Sequence, residues 1–380
     1  MQFEDARNIV RRITAPLVRA GDRTLLGVAV GWRGDGPITR ANRDEFCVVA
    51  YVIKLDDRTR GNAQKLLNQL ASNADIRLRE EVRLIETGGV FRPLAFEGSE
   101  HGSISTLNTK KWFASLRPGI GISNPTPDDP TGTIYNPAAG TAGFFLQDDN
   151  NVRDTYLVSC NHVIARSRKA GDRLDPEDPE VIVQPASLDL SGHDVDTIKT
   201  LHDLQGRFGV AELCGFVPLE QDDPNRTPQP QNFVDAAMAR VCATKRRSEL
   251  SRLPYGGRIL GLAEVDPVTQ TPIGSGLVYK VGRTTGYTEG TVPHVAGSFQ
   301  VDYGGWTATF VDQVVMQRTP DNSSACFSDD GDSGSPVLTE NHGLVGMILA
   351  ASPNYSYACQ ARHVINELIA NTQVKLSLVK

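Results

Sequence analysis

Apolar residues at Phe3, Ile9, Val10, Ile13 and Leu17 recur at helical spacing among acids and arginines, and predict an amphipathic helix over residues 4–19. Two apolar, β-branched runs follow at 25–32 and 46–54 and predict strands, with a Gly-Asp-Gly-Pro turn at 34–37 between them. Residues 62–72 return to the helical period, and 81–86 read as a further strand. These elements make residues 1–95 a small α+β unit. A segment rich in Ser, Gly and Thr follows, and residues 96–116 read as a linker. From 117 to 372 the texture changes to short β-branched runs punctuated by Gly, Pro and Asn, as a mainly β domain requires. A proline-rich stretch at 221–231 predicts an exposed loop, 361–372 carries a helical period, and 373–380 reads as a tail. No internal repeat at solenoid spacing is present.

Composition narrows the classes. The 380 residues are 39% hydrophobic and 22% charged with a net charge of −6, which is ordinary for a globular chain and argues against a nucleic-acid or anionic-membrane surface. No apolar run approaches the ~20 residues of a spanning helix, and the first eight residues carry acids without an apolar core, unlike a secretory leader. The six cysteines are scattered among apolar neighbours, as buried free thiols in a reducing compartment would be, although a Cys326–Cys359 disulfide stays open. A cytoplasmic location is therefore expected, with neither cofactor nor metal. His193, Asp194 and Asp196 fit a solvated loop better than a metal site, and Lys245-Arg246-Arg247 fits a solvated face.

The chemistry concentrates near the C-terminus. Gly331-Asp332-Ser333-Gly334-Ser335-Pro336-Val337 sets one serine among glycines and an aspartate, where backbone N–H groups can surround an oxyanion. A hydroxyl needs a base and a group that orients the base. His162, in Ser159-Cys160-Asn161-His162-Val163, and Asp235, in Phe233-Val234-Asp235-Ala236-Ala237, lie upstream in apolar runs. Asp196 is the rival acid, and the small neighbours of Asp235 favour it as a buried carboxylate. The order His, Asp, Ser separates the chain from α/β-hydrolases and subtilisins, and Ser335 breaks the G-x-S-x-G elbow.

In these residues the chain resembles the trypsin-like (chymotrypsin-type) serine peptidases, with a nearer likeness to the intracellular trypsin-like peptidases of bacteria and the plant narrow-leaf protease. The resemblance implies a mainly β fold, a chymotrypsin-like double six-stranded β-barrel over 117–372, preceded by the small α+β domain. It implies a serine endopeptidase with Ser333 as nucleophile, His162 as base and Asp235 as orienting acid. The N–H groups of Gly331 and Ser333 would form the oxyanion hole, and glycine at 331 suits a peptide that needs an unusual conformation. Lys280-Val281-Gly282-Arg283-Thr284-Thr285-Gly286 resembles a stretch in which an arginine neutralises the aspartate before the nucleophile, which implies an Arg283–Asp332 ion pair and an oxyanion hole formed without proteolytic activation. Phe327, Ala350 and Ala351 fall at the substrate pocket. Phe327 stands where trypsins carry the specificity aspartate, so cleavage after Lys or Arg is not implied, and a small or apolar side chain is expected instead.

Partners implied are a protein or peptide substrate and a regulatory protein, or a second copy, at the N-terminal domain. The alternative is a latent or degenerate protease-fold scaffold that binds a protein without turnover.

Overall fold

The computed structural model describes residues 1–20, 24–33, 46–73, 82–93, 108–127, 135, 138–190, 197–242, 249–264, 276–319 and 326–380. The turn at 34–37, the 193–196 cluster, the 245–247 basic run and most of the linker lie outside these residues.

Two six-stranded units form the body. In the first, strands run in the order 376–378, 144–148, 155–159, 237–241, 209–216 and 181–183. The segment read as a tail thus supplies an edge strand, Leu376–Leu378. The second unit closes on itself. Leu277–Gly282 pairs with Pro336–Thr339 on one side and with Gly286–Asp302 on the other, and Thr307–Arg318, Ser356–Gln360 and Gly343–Ala351 complete the ring. The mainly β architecture of two six-stranded units behind a small α+β segment is the one expected. Helix Ala361–Thr372 bridges the units, packing Val364 and Leu368 into the main core.

The N-terminal elements fall close to their predicted positions: helix Phe3–Ala20, strands Gly27–Trp32 and Phe46–Val52, helix Asp57–Asn73 and strand Val82–Glu86. Ala6, Val10, Ile13 and Leu17 form the buried helix face, as their 3–4-residue spacing requires. The second helix starts earlier than its apolar period because Asp56 accepts a hydrogen bond from the Thr59 N–H at 2.8 Å, a cap that gives the first turn a side-chain acceptor.

These strands do not make a separate sheet. Gly27–Trp32 pairs antiparallel with the long strand Gly286–Asp302, so the α+β segment extends the closed unit. The long strand serves two neighbours by bending. Residues 286–291 close the ring, and residues 294–299 carry the N-terminal strand, with register shifts on either side of His294. At that bend His294 is buried and shares a hydrogen bond between its Nδ1 and the Tyr51 hydroxyl, the cross-piece between the two parts.

Burial, with a lesser contribution from Arg83, pushes the His294 pKa down to about 3. In the unfolded chain the imidazole titrates near its ordinary ~6.5. Between those values the unfolded state binds the extra proton, so stability is full above about pH 6.5 and falls as the pH drops toward 3. Acidifying to about pH 4.5 is expected to remove ~2–3 kcal/mol through this group alone. Urea unfolding of wild type and His294→Gln at both pH values checks it. Equal pH slopes in the two proteins would refute the assignment.

Candidate active site

The first unit holds His162 and Asp235. Strand Ala237–Val241 pairs antiparallel with Thr155–Ser159, with Ala237 opposite Ser159. Residues just before the one and just after the other therefore meet, and these are Asp235 and His162. His162 lies in a single helical turn, Asn161–Ile164. That turn is pinned by Asn161, whose side chain donates to the Val217 and Arg168 carbonyls and accepts from the Arg168 N–H.

Asp235 is fully buried and its two oxygens are shared out. Oδ2 lies 2.6 Å from His162 Nδ1 and accepts from the Tyr303 hydroxyl at 2.6 Å, and Oδ1 accepts from the His162 main-chain N–H at 3.1 Å. Burial by itself would raise this carboxyl. The His162 charge and the hydrogen bonds from His162 and Tyr303 outweigh it, and the pKa is lowered. Burial and the neighbouring Asp235 hold the Tyr303 hydroxyl far above its ordinary pKa, so it stays a donor. An ionised carboxylate only accepts, so it selects the Nδ1–H tautomer and leaves the lone pair on Nε2. Nε2 is buried and has no hydrogen-bond partner among the described residues.

The second unit holds the serine. Ser333 sits in the loop before strand Pro336–Thr339 and is 0% exposed. Its Oγ donates to the Leu349 carbonyl at 3.1 Å. Gly331 and Gly334 have φ of +93° and +92°, and a Cβ at either would collide, with Thr284 Oγ1 and with the Thr141 carbonyl respectively. The expectation for Gly331 rested on this same conformational demand. The Asp330 carbonyl accepts from Thr284 Oγ1 at 2.6 Å. In a trans peptide this turns the Gly331 N–H to the opposite side.

Thr141 ties the two halves together. Its N–H donates to the Ser333 carbonyl at 2.9 Å, its hydroxyl to the Gly331 carbonyl at 2.8 Å, and its own carbonyl accepts from Ser159 Oγ at 2.8 Å. Nothing in its sequence context marks this threonine, and Tyr303, inside a Gly-rich turn, gave no signal either.

The expected Arg283–Asp332 pair is not the one formed. Asp332, fully buried, is met by Lys280 Nζ at 3.2 Å, by Thr285 Oγ1 at 2.6 Å, and by the N–H groups of Thr284 at 2.9 Å and Asp329 at 3.0 Å. Arg283 pairs instead with Asp189 through Nε and Nη2. The reason is the period of two along strand Leu277–Gly282. Positions 278, 280 and 282 share a face, and a Cβ at Gly282 would strike Asp332, so that face looks at Asp332 while residue 283 points away. Burial lowers the Lys280 pKa, and Asp332 works against that shift.

Of the three expected pocket residues, Phe327 is 3% exposed and packs its ring against Gly290 in the barrel core. Ala350 is fully buried in its strand. Ala351 lines a cavity of about 430 Å³ beside the nucleophile loop, shared with Val90, Arg92, Ser328, Asp329 and Asp330.

Cys160, His162 and Asp235 place ligand-type atoms within 4.8 Å of one another. These atoms are already engaged. Cys160 Sγ donates to the Ile348 carbonyl at 3.2 Å, and burial together with Asp235 holds its thiol protonated, so the set does not offer the thiolate that a cysteine-bound metal requires. None of the six cysteines, Cys326 and Cys359 included, is in a disulfide.

Among solved structures, the neighbours are trypsin/chymotrypsin-like serine proteases. Thermobifida fusca Protease A matches at 14% identity over 70% of this chain and 100% of its own, with a TM-score of 0.38. Nocardiopsis protease matches at 14% over 70% and 100%, with a TM-score of 0.35. A glutamic-acid-specific serine protease matches at 14% over 66% and 96%, with a TM-score of 0.38. No family model matches the sequence, and no curated protein does. Among the described residues, no helix is long and apolar enough to cross a membrane.

Proposed function

We propose that the protein is a serine endopeptidase acting on protein or peptide substrates through an acyl-enzyme. In this reading Ser333 attacks the scissile carbonyl, and His162 Nε2 takes the hydroxyl proton and returns it to the leaving amine. Asp235 holds the imidazole tautomer and stabilises its charged form. The N–H groups of Gly331 and Ser333 stabilise the tetrahedral oxyanion, worth ~3–4 kcal/mol per donor in comparable sites. The observation that carries the reading is the buried His162–Asp235 contact of 2.6 Å, which leaves Nε2 bare in a molecule whose glycine-bounded serine loop is tied to the same strand pair through Thr141. The reading includes a cytoplasmic location, a division into an N-terminal unit (1–95), linker (96–116) and a protease domain (117–372) whose first unit takes its edge strand from residues 376–378, and regulation through the N-terminal unit.

One observation favours the latent-scaffold alternative. Ser333 is fully buried and its hydroxyl is spent on Leu349 rather than offered to Nε2. Activation in this reading is a rotation of one side chain and the opening of a path to it.

A fluorophosphonate probe decides between them, because it reports an activated hydroxyl and needs no known substrate. Labelling of the folded wild type that vanishes in Ser333→Ala and in His162→Ala is the expected result. Labelling that survives either substitution would remove these residues from the mechanism.

A further inference from the structure

The edge of strand Gly343–Ala351 that faces Ser333 is occupied without a gap. Ile348 exchanges main-chain bonds with the nucleophile loop, its carbonyl accepting from the Gly334 N–H at 2.8 Å and its N–H donating to the Ser335 carbonyl at 2.9 Å. The Leu349 carbonyl accepts from Ser333 Oγ. Ala350 and Ala351 then pair antiparallel with Pro93 and Arg92. The other edge of the same residues is filled by Tyr357 and Ser356 of the ring. An extended peptide that brings a carbonyl to Ser333 by adding a strand must use the edge where Arg92 and Pro93 now lie, since added strands bind through main-chain bonds at a sheet edge.

Resting on the hydrolase reading above, which makes the Ala350–Ala351 edge the place for the substrate backbone, we infer that Phe91–Pro93 of the same chain occupies that edge as a tethered competitor. Among the described residues, the occupant is anchored at Phe91. Phe91 is fully buried, its ring centroid 4.1 Å from that of Tyr357 and 5.4 Å from that of Phe299, and its carbonyl accepts from the Asp302 N–H at 3.0 Å. Past that anchor the strand has two residues, Arg92 is exposed, and Pro93 has no N–H to donate. It can peel away from the edge while Phe91 stays in the core. Because Arg92 also walls the 430 Å³ cavity with Asp329 and Asp330, the same movement frees the edge and opens the cavity. Burial of Ser333 at 0% exposure and of His162 at 9% is the closed state that such a strand would maintain.

The test uses the full chain carrying Arg92→Pro, which removes the N–H that pairs with Ala351 while leaving Phe91 in place. Arg92→Gly replaces it if the proline variant fails to fold. Hydrogen exchange at the Ala351 amide, which shares the hydrogen-bonded pair with Arg92, is expected to accelerate roughly tenfold in the variant, and to slow again when a blocked tetra-alanine peptide is added in excess. Exchange that does not change, or that the peptide does not slow, overturns the docking edge whatever the enzyme does. Fluorophosphonate labelling of Ser333 is expected to accelerate by a similar factor of roughly ten. Equal labelling rates in both proteins would overturn the competitor role and leave the hydrolase intact. An opened edge with no labelling at all would instead sink the hydrolase reading while the docking edge stood.

Discussion

Ser333→Ala is expected to lower peptide-bond turnover by about six orders of magnitude, and adding His162→Ala to it to cost almost nothing more. The non-additivity follows from the chemistry. Once the hydroxyl is gone the base has no proton to take, and once the base is gone the hydroxyl is a poor nucleophile at neutral pH. Asp235→Asn is expected to fall short of that, by about four orders of magnitude, because an amide can donate to Nδ1 and so favours the wrong tautomer without removing the imidazole. Folding is not at stake in the serine variant, as Oγ gives up one hydrogen bond to the Leu349 carbonyl. Single-turnover rates on an unfolded protein substrate, with near-ultraviolet dichroism as the check on packing, measure all four proteins. A double variant much slower than Ser333→Ala would mean that His162 acts outside this pair.

Lys280→Met is expected to destabilise the fold by ~3–5 kcal/mol. The ammonium and the Asp332 carboxylate are each fully buried, 3.2 Å apart, so removing one partner strands the other charge away from water. The remaining donors to Asp332, Thr284, Thr285 and Asp329, are neutral. Asp332→Asn in the same molecule should recover much of the loss, giving a coupling energy above ~2 kcal/mol in a double-mutant cycle. Arg283→Met also destabilises, by removing the ion pair to the buried Asp189, but its coupling to Asp332→Asn should fall below ~0.5 kcal/mol. Urea midpoints of the two cycles distinguish the cations, and a larger coupling for Arg283 would reverse the assignment.

Much of this was legible in the sequence where the signal is local. The helix at 361–372, the five N-terminal elements and the demand for glycine at 331 all follow from period or backbone conformation within a few residues. The Lys280 pairing was also readable. A single ammonium inside the apolar run Leu277–Val281, in phase with Gly282, has to find a buried anion, and analogy with an arginine three residues on hid it. Other features have no local sign. Tyr303 reaches Asp235 and Thr141 reaches the nucleophile loop across long stretches of chain, and a hydroxyl in a turn reads the same whether or not a distant partner awaits it. Phe327 was placed in the pocket by counting back from Ser333, but its inward position is set by barrel packing that counting does not see.

The pairing of Gly27–Trp32 with residues 294–299 of the long strand has a consequence for biosynthesis. Gly27–Trp32 can pair with Phe46–Val52 as soon as both have left the ribosome, but its other edge gains a neighbour only after nearly 300 residues have been made, a delay of roughly 10–50 s at ordinary elongation rates. Strand Gly27–Trp32, buried at every position in the finished protein, spends that interval with one apolar edge unpaired on a nascent chain. A chaperone that caps it, or slow passage through the intervening codons, would therefore govern yield more than the final stability does.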